Sequence, residues 1–253
     1  MRILLTGGKG YLASYLNSFL LQHGHSVLNV SRSTEITLED VLDTSETFDI
    51  YIHTAGLSSD TPFSDTEVYE QSNFVLSKKL LKRFQLDKKA KGFIFLSTLY
   101  TKLETVYKTP YALSKTNVEQ FIFNQNDYRI KIVRPALICS PPVARGILGP
   151  IQKLAKSGLI LKFPPKYHMQ WVSIETIGQS ILEIIMNKER ATELDLIDFD
   201  ANLNEPRLWL MDFMPIKKGL TIYLPNWVIQ LLFNLGHFLK LPLNKHFLNK
   251  LTL

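Results

Sequence analysis

The chain has 253 residues, of which 45% are hydrophobic and 21% charged, a balance typical of a soluble globular protein with a sizeable core. Its one cysteine, Cys139, excludes an intramolecular disulfide and any multi-cysteine metal site, so we expect no metal and a reducing, cytoplasmic location. A formal net charge of +6 is compatible with nucleic acid, an anionic membrane surface or a polyanionic small ligand as partner.

The distribution of apolar and basic residues narrows these classes. The apolar run RILL begins at residue 2 and a glycine follows at position 7, so we expect no signal peptide. No stretch approaches about 18 uninterrupted apolar residues, the length that a spanning helix requires. Aromatic residues do not alternate with the densest basic cluster, so we expect a solvated helix face and no nucleic-acid partner; the cluster comprises Lys78, Lys79, Lys82, Arg83, Lys88, Lys89 and Lys91.

Short apolar runs alternate with helix-length amphipathic segments along the first half of the chain. The predicted strands are RILLT, SVLNVS, DIYIHTAG, GFIFLST and IKIVRP, and the predicted helices are YLASYLNSFLLQHG, VYEQSNFVLSKKLLKRFQ and YALSKTNVEQFIFNQ. This alternation predicts an α/β fold, a doubly wound parallel sheet of Rossmann type with helices on both faces.

The sequence changes character after Pro135. Prolines punctuate irregular sequence up to about residue 166, then a helix (SIETIGQSILEIIMN) and a strand (ELDLIDFD) follow, and the remainder from about 202 is apolar and helical in pattern. We therefore assign residues 1–135 with 167–201 to the Rossmann domain, and residues 136–166 with 202–253 to a small, mostly helical lobe that binds the substrate.

The segment LLTGGKGYLASYL follows the first predicted strand and opens the first predicted helix. Gly7 allows a tight turn, Gly10 lets the backbone approach a pyrophosphate, and Ala13 lies where the helix packs on the strand, which is the spacing of a dinucleotide-binding loop. Lys9 is followed by glycine and not by Ser or Thr, which disfavours an NTPase phosphate loop. A turn that merely joins strand to helix is the remaining alternative.

The end of the second strand, NVSRS, bears on the choice of dinucleotide. An acidic residue there would contact the ribose hydroxyls of NAD, whereas an arginine accommodates the additional phosphate of NADP. Ser31 and Arg32 occupy this position, so we favour NADP over NAD. Alternatively, Arg32 is an exposed charge that contacts nothing.

Tyr111 and Lys115 form a Tyr-x-x-x-Lys pair, which a helix places on one face. An ammonium group near a phenol lowers the phenol's pKa and makes it a usable acid and base near neutral pH. The preceding strand ends in Ser97 and Thr98, either of which can hydrogen-bond a substrate oxygen beside the phenol.

Several motifs occur in a characteristic order: TGGKGYLA, IHTAG, an asparagine within a helix, FIFLST, YALSK and IVRP. Together they resemble the extended short-chain dehydrogenase/reductase family, in its sugar-nucleotide epimerase, dehydratase and reductase branch. The resemblance covers about residues 1–200 well and the remainder more loosely.

The resemblance implies hydride transfer between a nicotinamide and a carbon of a nucleotide-linked sugar, in a homodimer. It makes Tyr111 the catalytic acid and base, Lys115 a ligand of the nicotinamide ribose that tunes the tyrosine, and Thr98 the residue that orients the reacting oxygen. The implied cofactor contacts are Gly7, Gly10, Tyr11, Leu12, Ser31, Arg32, Thr54, Ala55, Gly56, Asn73, Tyr111 and Lys115.

Departures from the family pattern limit the chemistry. Dehydratases of this branch carry Asp-Glu directly after the position of Thr98, and this chain has Leu99 and Tyr100, which favours an epimerase or ketoreductase. The aspartate usual in the segment QWVSIETIG is replaced by Thr176, and Ser173 is a candidate cap of that helix. No single acid replaces the usual adenine contact; the candidates are Glu39, Asp40 and Asp43.

A substrate diphosphate requires cationic side chains in the small lobe. The candidates are Arg145, Lys153, Lys156, Lys166 and His168, each of which can equally be a solvated surface charge. Two functional alternatives stay open beside the enzyme: a non-catalytic NAD(P)-binding regulator or assembly factor, and a peripheral membrane role for the basic, apolar C-terminal segment.

Overall fold

A computed structural model describes residues 1–32, 34–57, 66–104, 109–140, 148–211, 213 and 219–238, without the side chains of 148 and 233–238. The chain divides into two compact units. Unit 1 comprises Met1–Lys102, Thr109–Pro135 and Ile174–Leu196, and unit 2 comprises Leu103–Lys108, Ala136–Ser173 and Ile197–Leu253.

Strands and helices alternate irregularly along the described parts of the chain. The strands are β1 (Arg2–Thr6), β2 (Ser26–Val30), β3 (Ile50–His53), β4 (Gly92–Leu96), β5 (Ile130–Pro135), β6 (Leu137–Ile138), β7 (Leu159–Lys162), β8 (His168–Val172), β9 (Glu193–Leu196), β10 (Phe199–Asn202) and β11 (Leu220–Tyr223). The helices are α1 (Tyr11–Gln22), α2 (Leu38–Asp43), α3 (Thr66–Tyr69), α4 (Leu76–Leu86), α5 (Pro110–Phe123), α6 (Leu148–Lys156), α7 (Ile174–Ile185), α8 (Pro206–Leu210) and α9 (Asn226–Phe238). A π-helical turn, Glu70–Val75, joins α3 to α4, and a 3₁₀ turn, Leu99–Lys102, follows β4.

Unit 1 contains a six-stranded sheet in the order β2-β1-β3-β4-β5-β9, and every pair in it is parallel. The predicted α/β Rossmann-type fold is thereby confirmed. The chain moves outward from β1 to β2 and then crosses to β3 on the other side of β1, so the strand order reverses between β1 and β3. Ligands of open parallel sheets bind beyond the carboxyl ends of the strands at such a reversal.

Local sequence signals define the helices of unit 1. Helix α1 ends where Gly24 adopts a φ of +77°, a conformation that glycine tolerates without steric cost. Helix α5 begins with Pro110, and the side chain of Thr109 accepts a hydrogen bond from Ala112 N at 3.1 Å. These caps fix the start of the helix that carries Tyr111 and Lys115.

Unit 2 contains a three-stranded sheet (β10-β8-β6) and a two-stranded parallel sheet (β11-β7), together with helices α6, α8 and α9. The sequence predicted a mostly helical lobe there, and strand β11 lies within the segment predicted to be helical. Its four residues pair with β7, about 60 residues earlier in the chain. Local periodicity therefore does not predict this strand.

The boundary between the units also differs from the predicted one. Residues 167–173 and 197–201 belong to unit 2, because β8 pairs with β6 and β10. Residue Trp171 of β8 is the centre of an aromatic cluster in unit 2 with Phe199, Trp209 and Phe213. The binding roles assigned to the two units remain predictions.

Candidate functional site

The glycine loop between β1 and α1 is the first part of the candidate site. Gly7 has a φ of +96°, and a Cβ atom there would lie 2.5 Å from Thr54 Oγ1, so only glycine fits without displacing β3's end. The N–H groups of Gly7 and Gly8 both donate to Val30 O, at 2.9 and 3.0 Å. The loop therefore draws the carboxyl ends of β1, β2 and β3 together.

Gly10 precedes α1 and provides no side chain to cap the helix. Its own N–H donates to Gly7 O at 2.7 Å, which closes the turn. No side chain of Gly10 covers the N-terminus of the helix. A helix N-terminus carries partial positive charge and N–H donors for an anion, and the glycines of the turn let a phosphate approach the backbone closely. The loop thus fits a dinucleotide pyrophosphate, and Ala13, only 1% exposed, packs beneath it.

A chain of buried hydrogen bonds runs from this loop to helix α4. Ala55 N donates to Thr6 Oγ1 at 3.2 Å, Thr6 Oγ1 lies 2.7 Å from His53 Nδ1, and His53 Nε2 lies 2.8 Å from Ser77 Oγ. Ser77 Oγ donates to the carbonyl of Asn73, so it accepts from His53 Nε2–H, and Thr6 donates to the unprotonated Nδ1. The network therefore requires a neutral His53.

The surroundings of His53 maintain this neutral form. The ring is fully buried, and burial together with the charge of Lys115 lowers the pKa of His53 to about 3. The sequence motif IHTAG contains this histidine, yet sequence reasoning gave it no role.

We expect His53→Leu to lower the free energy of unfolding at pH 7 by about 2–4 kcal/mol, because the buried hydroxyls of Thr6 and Ser77 lose their partner. The unfolded state binds a proton below pH 6.5 and the folded state does not, so His53 makes the protein less stable as pH falls from 6.5 towards 3. Denaturant unfolding at several pH values measures both effects, and the variant should lack this part of the acid sensitivity. His23→Leu, at an exposed position, is the matched control; an equal loss in both variants would contradict the assigned network.

Asn73 connects the network to the helix of Tyr111. It is fully buried in the π-helical turn, its Oδ1 accepts from Leu57 N at 2.7 Å, and its Nδ2 donates to Ser114 Oγ at 2.8 Å. Ser114 Oγ in turn donates to Tyr111 O at 2.8 Å. Gly56, with a φ of +144°, passes so close to Asn73 Oδ1 that a Cβ would collide with it. The side chain of Asn73 thus holds the loop after β3 against the first turn of α5.

Tyr111 and Lys115 lie one turn apart on α5. Lys115 is 4% exposed, its Nζ donates to Leu96 O at 2.8 Å, and the ammonium lies 4.6 Å from the centre of the Phe95 ring. Burial lowers the pKa of Lys115 to about 8, against a smaller opposing effect of Glu119. Tyr111 is half-buried, and its ring meets Tyr69 edge to face at 6.2 Å.

Thr98 lies beyond the carboxyl end of β4, 5% exposed. Its carbonyl accepts from Thr101 N and Oγ1, at 3.1 and 2.9 Å, so the 3₁₀ turn fixes its backbone. The adjacent Ser97, the other candidate for contact with substrate oxygen, donates to the buried carboxylate of Glu119 instead. The structure therefore separates the two hydroxyl residues: Ser97 donates to Glu119 inside unit 1, and Thr98 Oγ1 accepts from Tyr100 N at 3.4 Å. Contact between Thr98 and a ligand remains a prediction.

A buried ion pair that sequence reasoning missed supports this segment. Arg134 Nη2 lies 2.8 Å from Glu119 Oε2, and both side chains are less than a tenth exposed. Glu119 Oε1 also accepts from Thr101 Oγ1 at 3.1 Å and from Arg134 Nε at 2.9 Å. Breaking such a pair leaves an uncompensated buried charge. The signal was present in the sequence, because Arg134 lies within the motif IVRP and Glu119 lies four residues after YALSK, both within predicted core elements.

The remaining predicted cofactor contacts differ in exposure and in their hydrogen bonds. Arg32 is exposed, Ser31 is half-buried with its N–H 2.7 Å from Thr34 Oγ1, and Tyr11 is 39% exposed at the start of α1 beside the half-buried Leu12. Asp40 completes a capping box with Thr37, which lowers the pKa of Asp40 through the hydrogen bonds it accepts. Asp40 therefore caps α2. A contact of Glu39, Asp40 or Asp43 with adenine remains a prediction.

In unit 2, the described candidate cations lie on different segments of the chain. Lys153 and Lys156 lie on α6, Lys166 stacks over the Tyr167 ring at 5.1 Å, and His168 lies 3.2 Å from Asp200 Oδ1. Arg145 lies outside the described residues. Across the described ranges, no group of three or more His, Cys, Asp or Glu side chains is arranged to hold a metal.

Comparison with known proteins places this geometry in context. Residues 3–160 match the sequence model of the NAD dependent epimerase/dehydratase family. No curated protein sequence matches the chain significantly.

Solved structures share the fold at low sequence identity. The human epimerase family protein SDR39U1 (isoform 2) with NADPH is 17% identical, with a TM-score of 0.74 over 97% of this chain and 90% of that one. RMD from Pseudomonas aeruginosa complexed with NADPH is 16% identical, with a TM-score of 0.68 over 88% and 87%. MoeE5 in complex with UDP-glucose and NAD is 13% identical, with a TM-score of 0.68 over 89% and 85%.

Proposed function

The chain belongs to the NAD dependent epimerase/dehydratase family, and on this premise we propose that it is an NAD(P)-dependent enzyme of nucleotide-linked sugars. The proposed reaction is hydride transfer at a sugar carbon, as an epimerase or a ketoreductase, with Tyr111 as acid and base. The proposal includes a homodimer and a cytoplasmic location, which follow from the resemblance and the cysteine content described above.

The buried ammonium of Lys115 is the observation that carries this proposal. Among the described residues Lys115 forms no ion pair. Its ammonium donates to the carbonyl of Leu96, at the carboxyl end of β4. A buried, unpaired lysine destabilises the folded state, and groups of this kind concentrate at functional sites. Its position one helical turn after Tyr111 explains why a destabilising ammonium is present: the charge acts on the phenol.

The mechanism follows from the placement of three side chains. A positive charge at Lys115 favours the tyrosinate form of Tyr111 and so makes the phenol a usable base for a sugar hydroxyl proton. Thr98 donates its hydroxyl to the reacting sugar oxygen and orients it towards Tyr111. Glu119 and Arg134 act through Ser97 and Thr101, and are positioning residues for Thr98.

The residues of the glycine loop fit a dinucleotide, as the turn at Gly7 and the absence of a side chain at Gly10, directly before α1, indicate. Gly7, Gly10, Tyr11 and Leu12 would hold its pyrophosphate, and Thr54, Ala55, Gly56 and Asn73 would shape the wall beside it. Lys115 would bind the nicotinamide ribose. The nicotinamide, when bound, supplies the hydride acceptor or donor.

Arg32 makes NADP the favoured cofactor, and this preference can be measured. We expect NADPH to bind at least about tenfold more tightly than NADH, because the guanidinium forms charge-assisted hydrogen bonds to the additional phosphate. Arg32→Ala should remove this preference and leave NADH affinity within about twofold. Fluorescence titration gives the affinities, and Arg190→Ala serves as the exposed-arginine control.

Mass spectrometry of the nucleotide released on denaturation of freshly purified protein tests the same point directly. NADP, or an empty site that fills with NADPH, supports a reductase that exchanges cofactor each turnover. Stoichiometric NAD would overturn the role of Arg32 and favour an epimerase, which retains its cofactor through oxidation and re-reduction.

Turnover on nucleotide sugars tests the enzyme itself. Incubation with UDP-, GDP- and dTDP-linked sugars, analysed by chromatography and by nicotinamide absorbance, should show cofactor-dependent conversion of at least one. Such conversion would also exclude the non-catalytic regulator. Binding of cofactor with no conversion of any nucleotide sugar would favour the regulator instead.

A further inference from the structure

The net positive charge of the chain resides in unit 2. This unit carries 12 Lys and Arg against five Asp and Glu, whereas unit 1 carries 17 against 18. The asymmetry is strongest after Asp212, because residues 213–253 include five lysines and no acidic residue. A charge so concentrated points to an anionic partner.

The described part of the same region exposes large apolar side chains. On β11, Leu220 is 67% exposed and Tyr223 is 52% exposed; on the first turns of α9, Trp227 is 68%, Leu231 58% and Leu232 52% exposed. We call these five residues the apolar surface. Leu224 and Pro225 link the two elements, so the five residues fall within 13 consecutive positions.

Helix α9 is apolar on two sides. Ile229 is buried in the core of unit 2, while Trp227 and Leu231, spaced four residues apart, share a face that is exposed. A helix in water normally has a polar outer face, and one that is apolar on its outer face requires a cover.

Three cations lie beside the segments that carry the apolar surface. Lys162 pairs in register with Tyr223, and Arg207 Nη2 donates to Gly219 O at 3.0 Å and to Thr221 Oγ1 at 3.3 Å. Lys166 lies over the ring of Tyr167, whose hydroxyl donates to Asn226 Oδ1 at 2.6 Å, at the start of α9. Apolar side chains bordered by Lys and Arg are the composition of surfaces that lie in a membrane interface.

We propose that the apolar surface and its flanking cations dock unit 2 onto an anionic membrane leaflet. None of the helices in the described ranges is long and apolar enough to cross a membrane. A second copy of the chain is the less favourable occupant, because an isologous contact would bring two strongly basic units together, whereas acidic headgroups complement the charge. This proposal goes beyond the enzymatic one and does not depend on it.

Flotation of the full chain with lipid vesicles tests the proposal. We expect flotation with phosphatidylcholine vesicles that contain phosphatidylserine, little with phosphatidylcholine alone, and weaker flotation as salt rises. The double variant Trp227→Gln/Leu231→Gln should partition at least about tenfold less, because two large apolar side chains no longer enter the interface. The control double variant Leu86→Gln/Tyr128→Gln removes apolar side chains of unit 1 that are 77% and 82% exposed, and should float like the wild type.

Circular dichroism and denaturant unfolding of every variant, measured on the same preparations, show whether the fold is retained. Absence of wild-type flotation with the acidic vesicles, or equal flotation of the Trp227→Gln/Leu231→Gln variant, would overturn the proposal. Sedimentation that shows a dimer for the wild type and a monomer for this variant, without flotation, would also overturn it and would identify the apolar surface as a self-association surface.

Discussion

Replacing Tyr111 by phenylalanine is expected to lower turnover by about 10²–10⁴-fold and to leave NADPH affinity within about twofold. The change removes only the phenolic hydroxyl, which in the proposed mechanism exchanges a proton with the sugar, and general acid and base groups contribute rate factors of this size. The ring contact with Tyr69 at 6.2 Å is retained by phenylalanine, so the start of α5 should not move. Turnover on the accepted nucleotide sugar and a nucleotide titration measure the two quantities.

Tyr128→Phe is the matched control, because Tyr128 is 82% exposed and loses the same hydroxyl. It should match the wild type in both assays. A fully active Tyr111→Phe variant would remove Tyr111 from the mechanism, even if the protein proved to be an enzyme of nucleotide sugars. A variant that lost nucleotide affinity and turnover in parallel would instead assign the hydroxyl to cofactor binding.

The parallel sheet was predictable because its signals are local. The strands β1, β3 and β4 are apolar runs of the length that a buried parallel strand requires, and each precedes a segment with helical periodicity. These apolar runs do not show that β2 lies on one side of β1 and β3 on the other. That order depends on which helices cover which face, a property of the assembled sheet.

The site could be predicted only as far as its motifs extend. The glycine loop, Tyr111 and Lys115 were found because each occurs at a fixed spacing. His53, Ser77 and Ser114 were missed, because a hydrogen-bond network is defined by contacts between residues that are 24 to 47 positions apart, or that are linked through a third residue. Sequence periodicity shows that such a residue is buried but not what it contacts.

The π-helical turn shows a further limit. Tyr69, Asn73 and Ser77 are all buried and spaced by four, and in a regular α-helix three residues at this spacing drift away from one face. The turn Glu70–Val75 accommodates the additional residue and keeps Asn73 directed inward. The sequence predicted one continuous helix here, because a single inserted residue barely disturbs the apolar pattern. Such local departures from a regular helix are common at functional sites.

Replacing Lys115 by methionine is expected to abolish measurable turnover and yet to stabilise the nucleotide-free protein at pH 7. Methionine fills the space of the aliphatic stem without a charge. The folded state of the variant is therefore free of the free-energy penalty for desolvating a buried ammonium. The lowering of the pKa from 10.5 to about 8 corresponds to a penalty of about 3 kcal/mol, and loss of the hydrogen bond to Leu96 O offsets about 1 kcal/mol of the gain. We therefore expect a net stabilisation of about 1–2 kcal/mol.

The pH dependence distinguishes this cause from ordinary packing. Below pH 8 both the folded and the unfolded state of the wild type bind the proton of Lys115, so the full penalty applies. Between pH 8 and 10.5 the unfolded state binds more protons than the folded state, so wild-type stability should rise with pH relative to Lys115→Met. Denaturant unfolding of both proteins across this range, with Lys79→Met as the exposed control, measures the difference. A variant that is less stable at pH 7, or a difference that does not change with pH, would show that Lys115 stabilises the fold and would remove the buried ammonium as the mark of an active site.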